Sequence, residues 1–391
     1  MQLPVYMDSH ATTPCDPRVV EAMLPTFTKM FGNAASRDHA FGWEAEALVE
    51  QARDRVADLL GADPTEIVFT SGATESDNLA IKGVAGVYGG KGRHVITCQT
   101  EHEAVLETCR SLEAGGFEVT RLPVQPDGLI RPGELAAAIR DDTILVSIMY
   151  ANNEIGVIQP IGEIGRLCKA RGVLFHCDAV QAMDWVAIDA RVLGIDLLSI
   201  SGHKMHGPKG VGALYARRRG PRVRLQPQMS GGGHERGLRS GTLNVPGIVG
   251  LGKAAEIAAA QREEDGRRVR GLRDRLLDAI TSRLPKVVVN GSLERRLPNN
   301  LHLSFPGIRA ETMLKGMRDL AVSSGAACAS ATQEPSHVLR ALGVPDELAE
   351  CSLRFGLHRF TTPEEVAFAA DQVVRTVQRL REKSPRASID I

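Results

Sequence analysis

The chemically promising residues of this chain sit just after short apolar runs. Leu197-Leu198-Ser199-Ile200-Ser201 leads into Gly202-His203-Lys204-Met205-His206-Gly207-Pro208, a polar turn with glycines and a proline around one lysine. A solvated lysine on a surface loop needs no such setting. A lysine held as a Schiff base with an aldehyde does. Asp178 closes the run Leu174-Phe175-His176-Cys177, with Gln181 three residues on. A carboxylate that ends a buried strand is costly unless something pairs with it. Ser71-Gly72-Ala73-Thr74-Glu75 follows the run Glu66–Thr70 and opens a helical pattern. Its N–H and hydroxyl groups would cradle an anion, or Thr74 would simply cap the helix. Thr100-Glu101-His102 follows His94–Gln99, and Ala151-Asn152-Asn153-Glu154 follows Thr143–Tyr150.

The set says more than its members. An anion cradle, a histidine, a buried carboxylate and a lysine, each at a strand end, match the needs of pyridoxal 5'-phosphate. The lysine would form the imine, and Asp178 would keep the pyridine nitrogen protonated. His102 can stack on the ring. Gln181 and Ser201 can hydrogen-bond the phenolate oxygen and the phosphate.

These residues need a scaffold that brings strand ends together. From Glu66 onward, apolar runs alternate with helical patterns such as Glu75–Tyr88, His102–Ala114, Gly133–Arg140 and Ile161–Ala170. The remaining runs are Glu118–Val124 and Gly212–Arg217. Such alternation predicts an α/β fold with a mostly parallel seven-stranded sheet and helices on both faces. Helices are also expected over Pro17–Thr28 and Glu44–Leu60, the latter ended by Gly61. Lys253–Leu284 reads as a connecting helix, followed by short strands and helices of a smaller α+β domain. The large domain is assigned to 15–252, the small one to 1–14 and 253–391.

Composition narrows the classes. The chain has 391 residues, enough for two domains, and a formal net charge of zero. Neither nucleic acid nor an anionic membrane is expected as a partner. No apolar run reaches the ~18 residues of a membrane span, and no signal peptide is expected at the N-terminus. The seven cysteines are odd in number and lack a C-x-x-C pair. Reduced thiols in the cytoplasm fit that pattern, with no metal site. Gly89-Gly90-Lys91-Gly92 raises a nucleotide-binding alternative, but Gly92 stands where a phosphate loop needs Ser or Thr.

Longer motifs carry a resemblance. They include Ala11-Thr12-Thr13-Pro14, Thr70-Ser71-Gly72-Ala73-Thr74-Glu75-Ser76-Asp77-Asn78, Asn152-Asn153-Glu154-Ile155-Gly156, Ser201-Gly202-His203-Lys204, Arg239-Ser240-Gly241-Thr242 and Ser323-Ser324-Gly325-Ala326-Ala327-Cys328. In this order, and from Tyr6 to about Pro385, the chain resembles the cysteine desulfurases of the class V aminotransferase family, the iron–sulfur cluster assembly type. The resemblance implies PLP-dependent fold type I, a homodimer and L-cysteine as substrate. It implies pyridoxal phosphate on Lys204, with Ala73, Thr74, His102, Asn153, Asp178, Gln181, Ser201 and His203 around it. Thr242 would reach the phosphate of the neighbouring subunit. Cys328, on a mobile loop at about 322–333, would be the nucleophile that keeps the sulfur as a persulfide. His102 would be an acid–base group, and Arg354 with Asn153 would bind the substrate. A scaffold protein of iron–sulfur assembly, or another acceptor, would take the sulfur. The family's longer tail, which contributes to scaffold docking, has no counterpart in the six residues after Pro385. Ala326, Ala329 and His206 depart from the commoner family residues but leave every reactive group in place. A selenocysteine lyase or a class V aminotransferase is the alternative activity on this fold.

Overall fold

Successive residues of the apolar runs take opposite sides of one sheet. Val95, Leu145, Leu197 and Leu214 enter one buried cluster, and their neighbours Ile96, Val146, Leu198 and Ala213 enter another. Both faces are covered, so the strands read as continuous apolar runs rather than alternating ones. Helices Ala40–Leu60 and Val245–Thr281 pack on one face, and Ala73–Tyr88 and Glu103–Ala114 on the other. The computed structural model describes residues 2–324 and 335–383.

The sheet has seven strands in the order Ile67–Thr70, Gly212–Ala216, Leu197–Ser201, Leu174–Asp178, Thr143–Ser147, His94–Cys98 and Glu118–Leu122. Only Gly212–Ala216 runs against its neighbours. Gly212 is required there: a Cβ would lie 2.5 Å from the Ile200 carbonyl oxygen and 2.8 Å from the Gly72 Cα. The expected mostly parallel seven-stranded sheet is therefore present. The strands of the other six point their carboxyl ends to one edge.

Two helices differ from the sequence reading. The helix expected over Pro17–Thr28 is two, Pro17–Met23 and Pro25–Thr28. Pro25 has no N–H to continue the ladder, and its ring crowds the preceding turn. The long helix starts at Val245 rather than Lys253 because the Asn244 side chain accepts from the Gly247 N–H at 3.1 Å. Its 37 residues span about 55 Å. Its first half packs Ile248, Leu251 and Ala255 into the large core, and its second half packs Val269, Leu272, Leu276 and Ile280 into a separate one.

That second core is built on an antiparallel sheet ordered Ser323–Ser324, Ser352–Gly356, Asn300–Ser304 and Val288–Val289. Helix Pro363–Lys383 covers it with Val366, Val373 and Val377. The N-terminal segment joins this side. Val5–Tyr6 pairs in parallel with Leu320–Ala321, and Met7 and Ser9 exchange backbone bonds with Gly356. Residues 8–13 then cross back to the edge of the large sheet.

Candidate active site

Five of the parallel strands end at Thr70, Cys98, Ser147, Asp178 and Ser201, and the turns after most of them line one cavity of about 560 Å³. Ligands in open α/β sheets bind outside the carboxyl ends of strands for this reason. Ala73, Thr74, His102, Asn153, Asp178, Gln181, Ser201, His203 and Lys204 all face this space. The sequence reading is thereby brought together in all but three residues. Arg354 stands just behind Asn153, donating from Nη1 to its carbonyl oxygen at 3.0 Å. Thr242 is exposed in the loop before the long helix and does not line the cavity. Cys328 lies outside the described residues.

The first turn of helix Ala73–Tyr88 is left open for an anion. Its N-cap is Gly72, which has no side chain, and no side chain caps the helix. Thr74 therefore does not act as the cap. The space where a Gly72 Cβ would sit holds no atom within 4 Å. Glu75 in that turn accepts from the Ser71 N–H at 2.8 Å and pairs with Arg239 at 2.9 Å, which neutralises its charge.

Asp178 is buried and accepts one bond, from the Val180 N–H at 3.0 Å. Burial raises its pKa, and His102, the Val180 N–H and Lys204 pull it back. Two further carboxyls lie beneath it. Asp77 and Glu101 are fully buried, and burial pushes both well above the carboxylate range, helped by the Asp178 charge at both and by the Asp77 charge at Glu101. Both Asp77 oxygens and Glu101 Oε2 lack a hydrogen-bond partner among the described residues. Asp77 and Glu101 are thus biased toward the neutral acid, whereas Asp178, which lines the cavity, has the His102 and Lys204 charges to favour its ionised form.

His102 caps the helix Glu103–Ala114, its Nδ1 accepting from the Ala104 N–H at 3.1 Å. That bond puts the proton of the neutral ring on Nε2. Burial lowers its pKa, so the neutral form is favoured. His203 is pulled down to about 4 by burial and by the Lys204 charge, and its Nδ1 lies 3.1 Å from Thr12 Oγ1. Lys204 Nζ donates to the carbonyl oxygens of His10 and Ala11, the latter at 2.8 Å.

The N-terminal strap, expected only as part of the small domain and through the motif Ala11-Thr12-Thr13-Pro14, supplies His10, Ala11 and Thr12 to one wall. Asp8 accepts from Arg354 Nη2 at 2.9 Å. His10 lines the cavity and meets Gln181 at 2.9 Å. The available signal was a run of polar residues with backbone carbonyls to spare, which names no partner. Arg354 is 1% exposed in a strand paired on both sides, so it is no edge-strand surface arginine. On either side of the undescribed segment, Ser323 pairs with Arg354 in the sheet, and Ser336 donates to Glu154 Oε2.

These residues fit pyridoxal phosphate: an uncapped helix start for the phosphate, a buried carboxylate for the ring nitrogen, and a lysine between them. The chain belongs to the class V aminotransferase family, whose model matches residues 5–368. More particularly, it is 58% identical over 385 residues to "Cysteine desulfurase IscS" of Anaeromyxobacter dehalogenans, covering 98% of this chain and 95% of that one. It is 57% identical over 387 residues to the protein of that name in Salmonella typhi, with the same shares covered. Among solved structures, a "NifS-like protein" is 40% identical with a TM-score of 0.89, covering 96% of this chain and 99% of that one. "SspA in complex with cysteine" is 38% identical with a TM-score of 0.80, over 91% of this chain and 99% of the other. Among the described residues, no helix is long and apolar enough to cross a membrane.

Proposed function

We propose that the chain is a cysteine desulfurase, converting L-cysteine to L-alanine and keeping the sulfur as a persulfide on Cys328. One observation carries this reading: the strand-end cavity gathers Lys204, Asp178 and His102 in a chain 58% identical to a protein named for that activity. When bound, pyridoxal phosphate supplies an aldehyde for an amine to bond and a ring that accepts electrons from the substrate Cα.

The protein's own groups do the rest. The N–H groups of Ala73 and Thr74, with Ser201 and His203, would hold the phosphate. Asp178 would hold the ring nitrogen, His102 would cover the ring face, and Gln181 would meet the ring oxygen. Lys204 would anchor the aldehyde and, once released as a neutral amine, would accept the Cα proton at its Nζ. His102 holds a second proton at Nε2. Arg354 receives the substrate carboxylate in competition with Asp8, which now occupies Nη2. Asn153, whose carbonyl fixes Nη1, stands beside that carboxylate. The Cys328 thiolate attacks the substrate sulfur: an S–S bond forms, the Cβ–S bond breaks, and the electron pair left on carbon takes up protons to give alanine.

The active species is proposed to be a homodimer, because Thr242, which matches the family's cross-subunit phosphate contact, lies outside its own cavity and is exposed. Full activity in a species that sediments as a monomer would exclude this. The sulfur is passed on to an iron–sulfur scaffold protein or another acceptor, and the enzyme acts in the cytoplasm.

The test is to supply cysteine and measure alanine and protein-bound persulfide, with parent and Cys328→Ala. The parent yields both; the variant yields neither from cysteine. Unchanged alanine release by Cys328→Ala would move the activity to a selenocysteine lyase or an aminotransferase.

A further inference from the structure

A chain of four side chains, buried at Arg296, Asn300 and His10 and half-buried at Gln181, runs from the small sheet to the cavity, and donor–acceptor chemistry fixes its direction. Arg296 is 1% exposed and can only donate. Its Nη1 reaches Asn300 Oδ1 at 3.1 Å, so the Asn300 carbonyl must face it. Asn300 Nδ2 then donates to the Glu154 carbonyl at 2.9 Å and to His10 Nε2 at 3.0 Å. A ring nitrogen that accepts carries no proton, so the neutral His10 ring bears its proton on Nδ1. That nitrogen lies 2.9 Å from Gln181 Oε1, which accepts. Gln181 Nε2 has two hydrogens. One goes to the His10 carbonyl at 3.2 Å, and the other remains for the cavity that Gln181 lines. Reversing any link would leave two donors or two acceptors facing each other in a buried site.

Close packing holds the chain in place. A Cβ on Gly156 would lie 2.4 Å from the Asn300 side chain, and Gly156 has φ +68°. His10 is buried, and burial with the Arg354 charge lowers its pKa to about 3, so the ring is neutral across the working range.

We propose that His10 is a positioning residue: its Nδ1–H, directed by Arg296 through Asn300, fixes the Gln181 amide so that a donor and not an acceptor meets the ligand in the cavity. The ligand group this suits is an anionic oxygen on a planar ring. Naming that oxygen as the pyridoxal phenolate rests on the proposed function; the direction of the chain does not.

Nitrogen NMR of histidine-labelled, full-length protein, with and without pyridoxal phosphate, reads the tautomer directly. The expected result is a His10 ring protonated on Nδ1 in both states; a proton on Nε2 overturns the inference. In the loaded protein, His10→Leu should weaken pyridoxal phosphate binding by roughly tenfold, the scale of one hydrogen bond to a charged acceptor. The pH midpoint of its visible band should rise, because the ring oxygen loses a donor. His10→Gln, which can donate in the same direction, should recover most of both. Equal losses in the two variants would reduce His10 to packing and overturn the inference. A protein that makes alanine with the Nε2 tautomer overturns this inference alone. One with the expected tautomer that makes no alanine overturns the functional reading alone.

Discussion

The two walls of the cavity are built by different means. One wall is the edge of the large sheet, where Asp178 and Ser201 end their strands and Lys204 follows one by three residues. The other is lined by His10 on the strap and backed by groups distant in sequence: Asp8 on the strap, Asn300 and Arg354 in the small sheet. Each group on the first wall is placed by its own strand. Each group on the second is placed by a partner as many as 346 residues away. In the proposed reaction the first wall supplies Lys204 and Asp178 to the ring chemistry, and the second sets how the ligand lies against them.

If that division is right, the largest loss comes from the first wall. Lys204→Ala should lower alanine formation by roughly four orders of magnitude and remove the visible absorbance of the bound cofactor. Near-normal turnover by this variant would end the assignment. Asp178→Asn keeps the shape but removes the charge facing the ring nitrogen, and should cost on the order of 10²–10³ in kcat. Spectra and rates like the parent's would make Asp178 structural only.

The second wall should respond in KM more than in kcat. Arg354→Gln leaves Asp8 without its cation and removes the fork for a carboxylate, raising KM for cysteine by roughly 10- to 100-fold. A fall in kcat at unchanged KM would erase the distinction between the walls.

The mildest effect is shared. His176 in the large sheet and His10 and His302 beside the small one are fully buried, and burial holds each near a pKa of about 3, against 6.5 when exposed. A lowered folded pKa means that the unfolded chain binds more protons below pH 6.5. Their contribution to stability is whole above that pH and is lost as pH falls towards 3, by up to about 1.4 kcal/mol per pH unit for each residue. Urea midpoints at pH 7, 6 and 5 should fall progressively, with little change between pH 7 and 8. A flat profile down to pH 5 would contradict the buried neutral rings.

The same contrast decides what the sequence could reveal. Lys204, Asp178 and His102 were legible because a strand, its end and the following turn are contiguous, and period and turn chemistry report them. The seven strands were legible for the same reason, to within a few residues. His10 and Asp8 were not. Their segment has no period, and their importance comes from Gln181 and Arg354, whose proximity no local pattern encodes. Pro25 breaks an otherwise helical run, so period alone extends one helix over what are two. The early start of the long helix turned on the single Asn244 cap.

The strap has a consequence for how the protein is made. Residues 5–13 meet Leu320–Ala321, Gly356 and Leu357, which a ribosome adds some 340 residues later. At cellular speeds that interval is roughly 20–70 s. The large sheet, complete once residue 216 emerges, can form in the meantime with its lysine in place. A nascent chain halted before residue 300 would carry the reactive turn without Asn300, which directs the His10 tautomer, and without Arg354. The finished site is thus withheld until synthesis is nearly over, and the early-made strap is among the last parts of it to dock.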